Sequence, residues 1–309
     1  METNQIKRFL QMQFCLLLLA LTCLPTIDAV QMISGVSIDY INTLLRVIGL
    51  VGSGILMYKF YVDWTNQKKQ LPIPFLALAG SGMLLVAVDI FMSELWVSII
   101  AGVLLLIAVC KAKEAFEIDW KTTSVAGAYL ILLAVLLRFY NNVDPSIFSA
   151  IFALVGLIMY LKGLGMLKQD IGTLGQQGVS NIKTAIILSI IGYAGSILFS
   201  WIPAVNIITS IIFGIVLIVS LVFELMGYIK LSKCTDFGTQ GMAGANKVKI
   251  GLIIGIIASV IGFIPLMGIF ESILAVVVMF LIVNGWMLII SGLYQFNPAP
   301  TEVAENTAE

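Results

Sequence analysis

Nine stretches of roughly 20 mostly apolar residues constrain this chain more than any other feature. They run at 42–61, 73–92, 95–112, 123–141, 146–167, 184–202, 205–229, 250–267 and 269–293. Each matches the length a helix needs to cross the ~30 Å hydrocarbon core of a bilayer. Lipid offers backbone groups no hydrogen-bond partner, so a spanning segment must be a helix or part of a closed barrel. Barrel strands alternate apolar and polar residues, and the run AGVLLLIAVC at 101–110 does not.

Composition agrees. Charged residues make up 11% of the chain and hydrophobic ones 60%, whereas soluble domains carry about 25% charge. A soluble enzyme, a disordered chain and a secreted disulfide scaffold are excluded. The 17 basic residues balance 17 acidic ones, so there is no cationic field for nucleic acid. Histidine is missing, which removes the commonest general base and metal ligand. Cys15, Cys23, Cys110 and Cys234 form no CxxC pair.

Residues 1–29 have the layout of a secretory signal peptide: Lys7 and Arg8, an apolar stretch from Phe14 to Leu24, Pro25, then Ala29 at the cleavage position. The alternative is an uncleaved first helix. Residues 30–41 then form a short outer segment, 42–294 the helical membrane domain, and 295–309 an acidic tail. Connections alternate between long polar loops and turns of a few residues. Thirteen of the 17 basic residues flank or lie in the long loops, and the short turns hold none. The positive-inside rule places the long loops and the tail in the cytoplasm, most simply of a bacterial inner membrane. Cys110 and Cys234 then face a reducing compartment as free thiols.

The chain repeats itself. Asp170, Gly172, Thr173, Gly175, Gly178 and Lys183 align with Asp236, Gly238, Thr239, Gly241, Gly244 and Lys249 at an offset of 66, as D-x-G-T-x-G-x-x-G-x4-K. Small residues continue the match. Ala185, Ser189, Gly192 and Ser196 lie over Gly251, Gly255, Ala258 and Gly262, one face of each helix. Val62-Asp63-Trp64 and Ile118-Asp119-Trp120 occupy similar loop positions, with both tryptophans suited to the membrane interface. The fold expected is an all-α polytopic membrane protein with nine transmembrane helices after the signal peptide, ten if that segment is retained. Four helical hairpins at 42–92, 95–141, 146–202 and 205–267 precede a closing helix at 269–293.

The glycine stretches could present backbone N–H groups to phosphate, yet they match neither phosphate-loop pattern and follow no strand. A connector is the plainer reading. Arg46, Asp89, Arg138 and Glu271 fall near the outer ends of their helices, and Glu224 lies on the cytoplasmic half. Charge within a membrane marks function by default unless it is paired. A ring of pairs such as Arg138 with Asp89 is the simpler account. Asn284, Ser189 and Ser220 lie near mid-helix, where polar groups either glue helices together or line a hydrated path. Pro203 and Pro265 read as helix terminators.

No enzyme, cofactor or metal signature is expected. The function expected first is a small-solute or ion transporter or channel, since repeated hairpins can surround a path. The alternative is a non-catalytic scaffold or subunit whose Gly-rich cytoplasmic loops bind a partner protein. Beyond the lipid bilayer, the expected partner is that protein or a small solute, and the oligomeric state is open.

Overall fold

The computed structural model describes residues 2–23, 38–67, 71–92, 94–118, 122–143, 147–199, 203–262 and 268–295. The expected cleavage point, most of the short outer segment, Asp119, Trp120, Pro265 and the acidic tail lie outside them. Every regular element among the described residues is helical. The helices are α1 (Glu2–Thr22), α2 (Ile38–Asn66), α3 (Ile73–Met92), α4 (Leu95–Ala115), α5 (Thr123–Val143), α6 (Ile147–Leu167), α7 (Thr173–Phe199), α8 (Pro203–Leu231), α9 (Gly238–Gly262) and α10 (Gly268–Gln295).

Seven of them, α2, α3, α4, α7, α8, α9 and α10, are long and apolar enough to cross a membrane. At 1.5 Å per residue, the 29 residues of α8 extend about 43 Å. Large aliphatic side chains lie exposed along them, including Ile211, Ile215 and Ile218 of α8. That is the surface a lipid-facing helix presents. The chain is an integral membrane protein built of helices.

Helix ends follow local chemistry. Pro203 opens α8 instead of terminating α7, because a first-turn residue needs no N–H partner. The end of α4 is a Schellman arrangement: Glu117 takes φ 52°, its N–H bonds Glu114 O, and the Ile118 N–H bonds Lys113 O at 3.1 Å.

The closest packing is within α3/α4, α5/α6, α7/α8 and α9/α10, the pairs joined by short connections. The packed hairpin therefore starts one helix later than the sequence grouping. The long loop precedes each pair instead of sitting inside it. α1 lies at the centre of the other half of the molecule, against α2 and α4 and touching α3, α5 and α10. Ile6, Phe9, Leu10, Leu16, Leu19 and Ala20 of α1 are fully buried. Glycines of its neighbours make room for it. A Cβ on Gly49 would stand 2.9 Å from Leu19, and one on Gly102 would stand 3.3 Å from the Ala20 carbonyl.

An aromatic cluster closes the long-loop end of this half. Phe60 stacks on Phe116 at 4.4 Å, with Phe75, Trp64 and Phe9 around them. Trp64 is thus buried against protein in this cluster, not exposed on the outer surface.

Candidate functional site

The most polar buried cluster lies at the short-turn end of α1–α4. Arg46 of α2 reaches 2.7 Å from Asp89 Oδ2 of α3. The same guanidinium donates to the Thr22 carbonyl from Nε at 3.0 Å and Nη2 at 2.6 Å. Ser98 of α4 donates to Asp89 Oδ2. Four helices meet in one arrangement. The guanidinium satisfies a carbonyl at the C-terminus of α1, where a cation is favoured by the helix dipole, and neutralises a carboxylate that is 1% exposed. Asp89 Oδ1 is buried with no partner among the described residues. Asp89 thus pairs with Arg46, and the expected pairing with Arg138 falls outside the described residues. Arg138 lies in α5 and Glu271 in α10, but their side chains fall outside the described residues.

α1 also makes polar contacts of its own. Gln13 is buried and donates to the Val109 carbonyl at 2.8 Å, and Gln5 donates to the Phe116 carbonyl at 2.6 Å. Arg8 pairs with Asp63 of α2. An open cavity of about 340 Å³ lies beside this pair, lined by Gln11, Tyr58 and Lys59 among others. None of these partners is visible in the sequence, because each contact joins residues far apart in the chain.

The repeated motif proves to be helical, not a connector. Gly175, Gly178 and Lys183 lie in α7, and Gly241, Gly244 and Lys249 in α9. The loops shrink to about 168–172 and 232–237. Gly172 and Thr173 stand at the start of α7, and Gly238 and Thr239 at the start of α9, where Gly238 takes φ 59°. Lys183 is exposed and Lys249 half-buried.

The aspartates have matching roles. Asp236 Oδ2 accepts from the Gly172 N–H at 2.5 Å, ahead of α7. Asp170 Oδ2 accepts from the Ser124 N–H at 2.9 Å and Oγ at 2.8 Å, in the first turn of α5. Each loop thus satisfies free N–H groups at the start of the preceding hairpin, as an N-cap would. The carboxylates occupy the places an anion would take. Cys234 beside them is buried, and burial, reinforced by Asp236, pushes its thiol up from 9.0 to about 11. It is not the accessible thiol that its loop position suggests.

The glycines carry the helix crossings. Gly178 of α7 meets Gly227 of α8, Gly244 of α9 meets Gly285 of α10, and Gly127 of α5 meets Gly163 of α6. The third pair has a sequence signal: Asp119, Asp170 and Asp236 each stand eight residues before the first glycine of a crossing.

In mid-helix, Ser189 and Ser220 hydroxyls lie 2.6 Å apart, and Ser220 donates to the Ala185 carbonyl at 2.7 Å. These serines join α7 to α8. Ala185, Gly192, Gly251 and Ala258 of the small-residue stripes are buried. Glu224 is half-buried on α8, whereas Asn284 points outward from α10. Among the described residues no group of three or more cysteine or carboxylate side chains could hold a metal. The chain matches no protein-family model, no curated protein and no solved structure.

Proposed function

We propose that this chain is a non-catalytic membrane scaffold or subunit, with its N-terminal helix retained as a core element and its long loops in the cytoplasm. One observation carries the reading: the fully buried apolar side chains of α1 fill the centre of the α1–α5 and α10 assembly. A hydrated path needs polar lining, and here the polar groups of α1 are used on neighbouring helices. A cleaved α1 would also leave Asp89 and Arg46 without the carbonyl that anchors them. The glycine motifs serve internal packing, so a partner protein would meet the exposed rim beside Lys113, Lys168 and Lys233 instead.

The test uses variants keeping only Cys15, only Cys23, or only a Glu114→Cys substitution at an exposed rim position. Vesicles with that rim outward are treated with a membrane-impermeant thiol reagent, then again after unfolding in detergent. The expected result is native labelling of Glu114→Cys alone, and labelling of Cys15 and Cys23 only after unfolding. Native labelling of both α1 cysteines would instead support a water path and transport. Their loss after unfolding, with a smaller intact mass, would show that the N-terminal segment is cleaved.

A further inference from the structure

We propose that the outward face of α10 is a contact between two copies of this chain, with Asn284 hydrogen-bonded to its own counterpart. Ile273, Val277 and Asn284 fall within about 40° of one another around the helix at 100° per residue. Ile273 is 56% and Val277 41% exposed, and Asn284 is exposed as well. Phe280, about 20° from Ile273 around the helix, borders this face and packs on Phe14 of α1, while away from the face Trp286 packs on Tyr228 of α8 and Gly285 on Gly244 of α9.

Asn284 sits at the middle of the 273–295 span. Its carboxamide has two N–H donors and an acceptor oxygen, and makes no hydrogen bond among the described residues. Leaving such a group bare in hydrocarbon is costly. The lipid-type face of α8 shows the contrast, since its exposed large residues Ile211, Ile215, Ile218 and Val222 are all aliphatic.

The occupant follows from the chemistry. A carboxamide is self-complementary, donor and acceptor in one group. A two-fold axis places the same patch on both partners, so two copies satisfy each other with reciprocal bonds. A water-lined crevice would need further polar groups free to meet water, and along this line stand Ile273, Val277 and Phe280, while Ser291 is buried with its hydroxyl donated to the Met287 carbonyl. The inference needs only that α10 spans the membrane and is independent of the scaffold reading.

The test reconstitutes the purified chain, carrying one fluorophore, into liposomes at graded lipid dilution and counts bleaching steps. Two steps are expected. Asn284→Leu should dissociate at about tenfold higher protein density, in line with interhelical polar contacts in membranes, and Asn284→Gln should retain the dimer. In a cysteine-free background, Val277→Cys should oxidise to a covalent dimer, and Ile215→Cys on α8 should not. The Val277→Cys variant keeps Asn284 and reads the contact even if Asn284→Leu folds poorly. Single-step bleaching at every density, equal cross-linking at Ile215→Cys, or labelling of Asn284→Cys by an impermeant thiol reagent would each overturn the proposal.

Discussion

A Cβ on Gly163 would lie 2.7 Å from the carbonyl oxygen of Gly127, and one on Gly127 would lie 2.6 Å from the carbonyl oxygen of Gly163. The same reciprocal approach recurs at Gly178 with Gly227 and at Gly244 with Gly285. Backbone meets backbone at each crossing, so no side chain can move aside. Dispersion and close approach hold helices together in lipid, where a hydrophobic drive between them is missing.

Gly163→Ala, Gly227→Ala and Gly285→Ala should each destabilise the protein by about 1–3 kcal/mol, the usual cost of overpacking. Gly165→Ala and Gly214→Ala meet nothing within 4 Å and should be neutral or slightly stabilising. Thermal unfolding in detergent micelles checks the contrast. Equal effects at all five positions would refute the role of the crossings.

Removing one member of the Arg46–Asp89 pair strands the other charge where Asp89 is 1% exposed. Arg46→Leu and Asp89→Leu should each cost about 3–5 kcal/mol, and the double variant should recover part of the loss. A double-mutant cycle on unfolding midpoints measures it. Simple additivity would mean the two side chains do not interact.

Asp170 and Asp236 each satisfy backbone N–H groups at the start of another helix. Asp170→Ala and Asp236→Ala should cost about 0.5–2 kcal/mol each, as lost caps do. Hydrogen exchange should rise at Ser124 in the first variant and at Gly172 in the second. Changes spread evenly over the chain would argue against local capping.

Cys234 should react slowly with thiol reagents at pH 8.5, because its thiol titrates near 11 instead of 9.0 and only the thiolate attacks. Its rate should climb about tenfold per pH unit until then. Glu114→Cys, at the exposed rim, supplies the fast comparison. The folded value lies above the unfolded one, so the stabilising contribution is complete below pH 9 and fades as pH rises towards 11. A Cys234→Ser variant should lose that part of the alkaline sensitivity.

The membrane class and most helix limits were legible from hydropathy alone, since crossing ~30 Å of hydrocarbon sets the length of an apolar run. The recurrence of aspartates and glycines at a fixed offset of 66 was legible too. Which helices pack together was not. A helix apolar all round shows no preferred face, because lipid and protein interior are equally apolar to it. The glycine crossings decide the pairs, turning an apparent loop motif into the first turns of α7 and α9. Tertiary structure alone brought Arg46 to Asp89 and Thr22, since those contacts span 43 and 24 residues. It also turned Asn284 outward and gave the N-terminal segment, which reads as a signal peptide by its charge and length, a core of buried partners. The physical reason is common to all three. Sequence spacing sets what a segment can become, whereas the satisfaction of each buried polar group and each close backbone approach depends on residues the chain brings together only on folding.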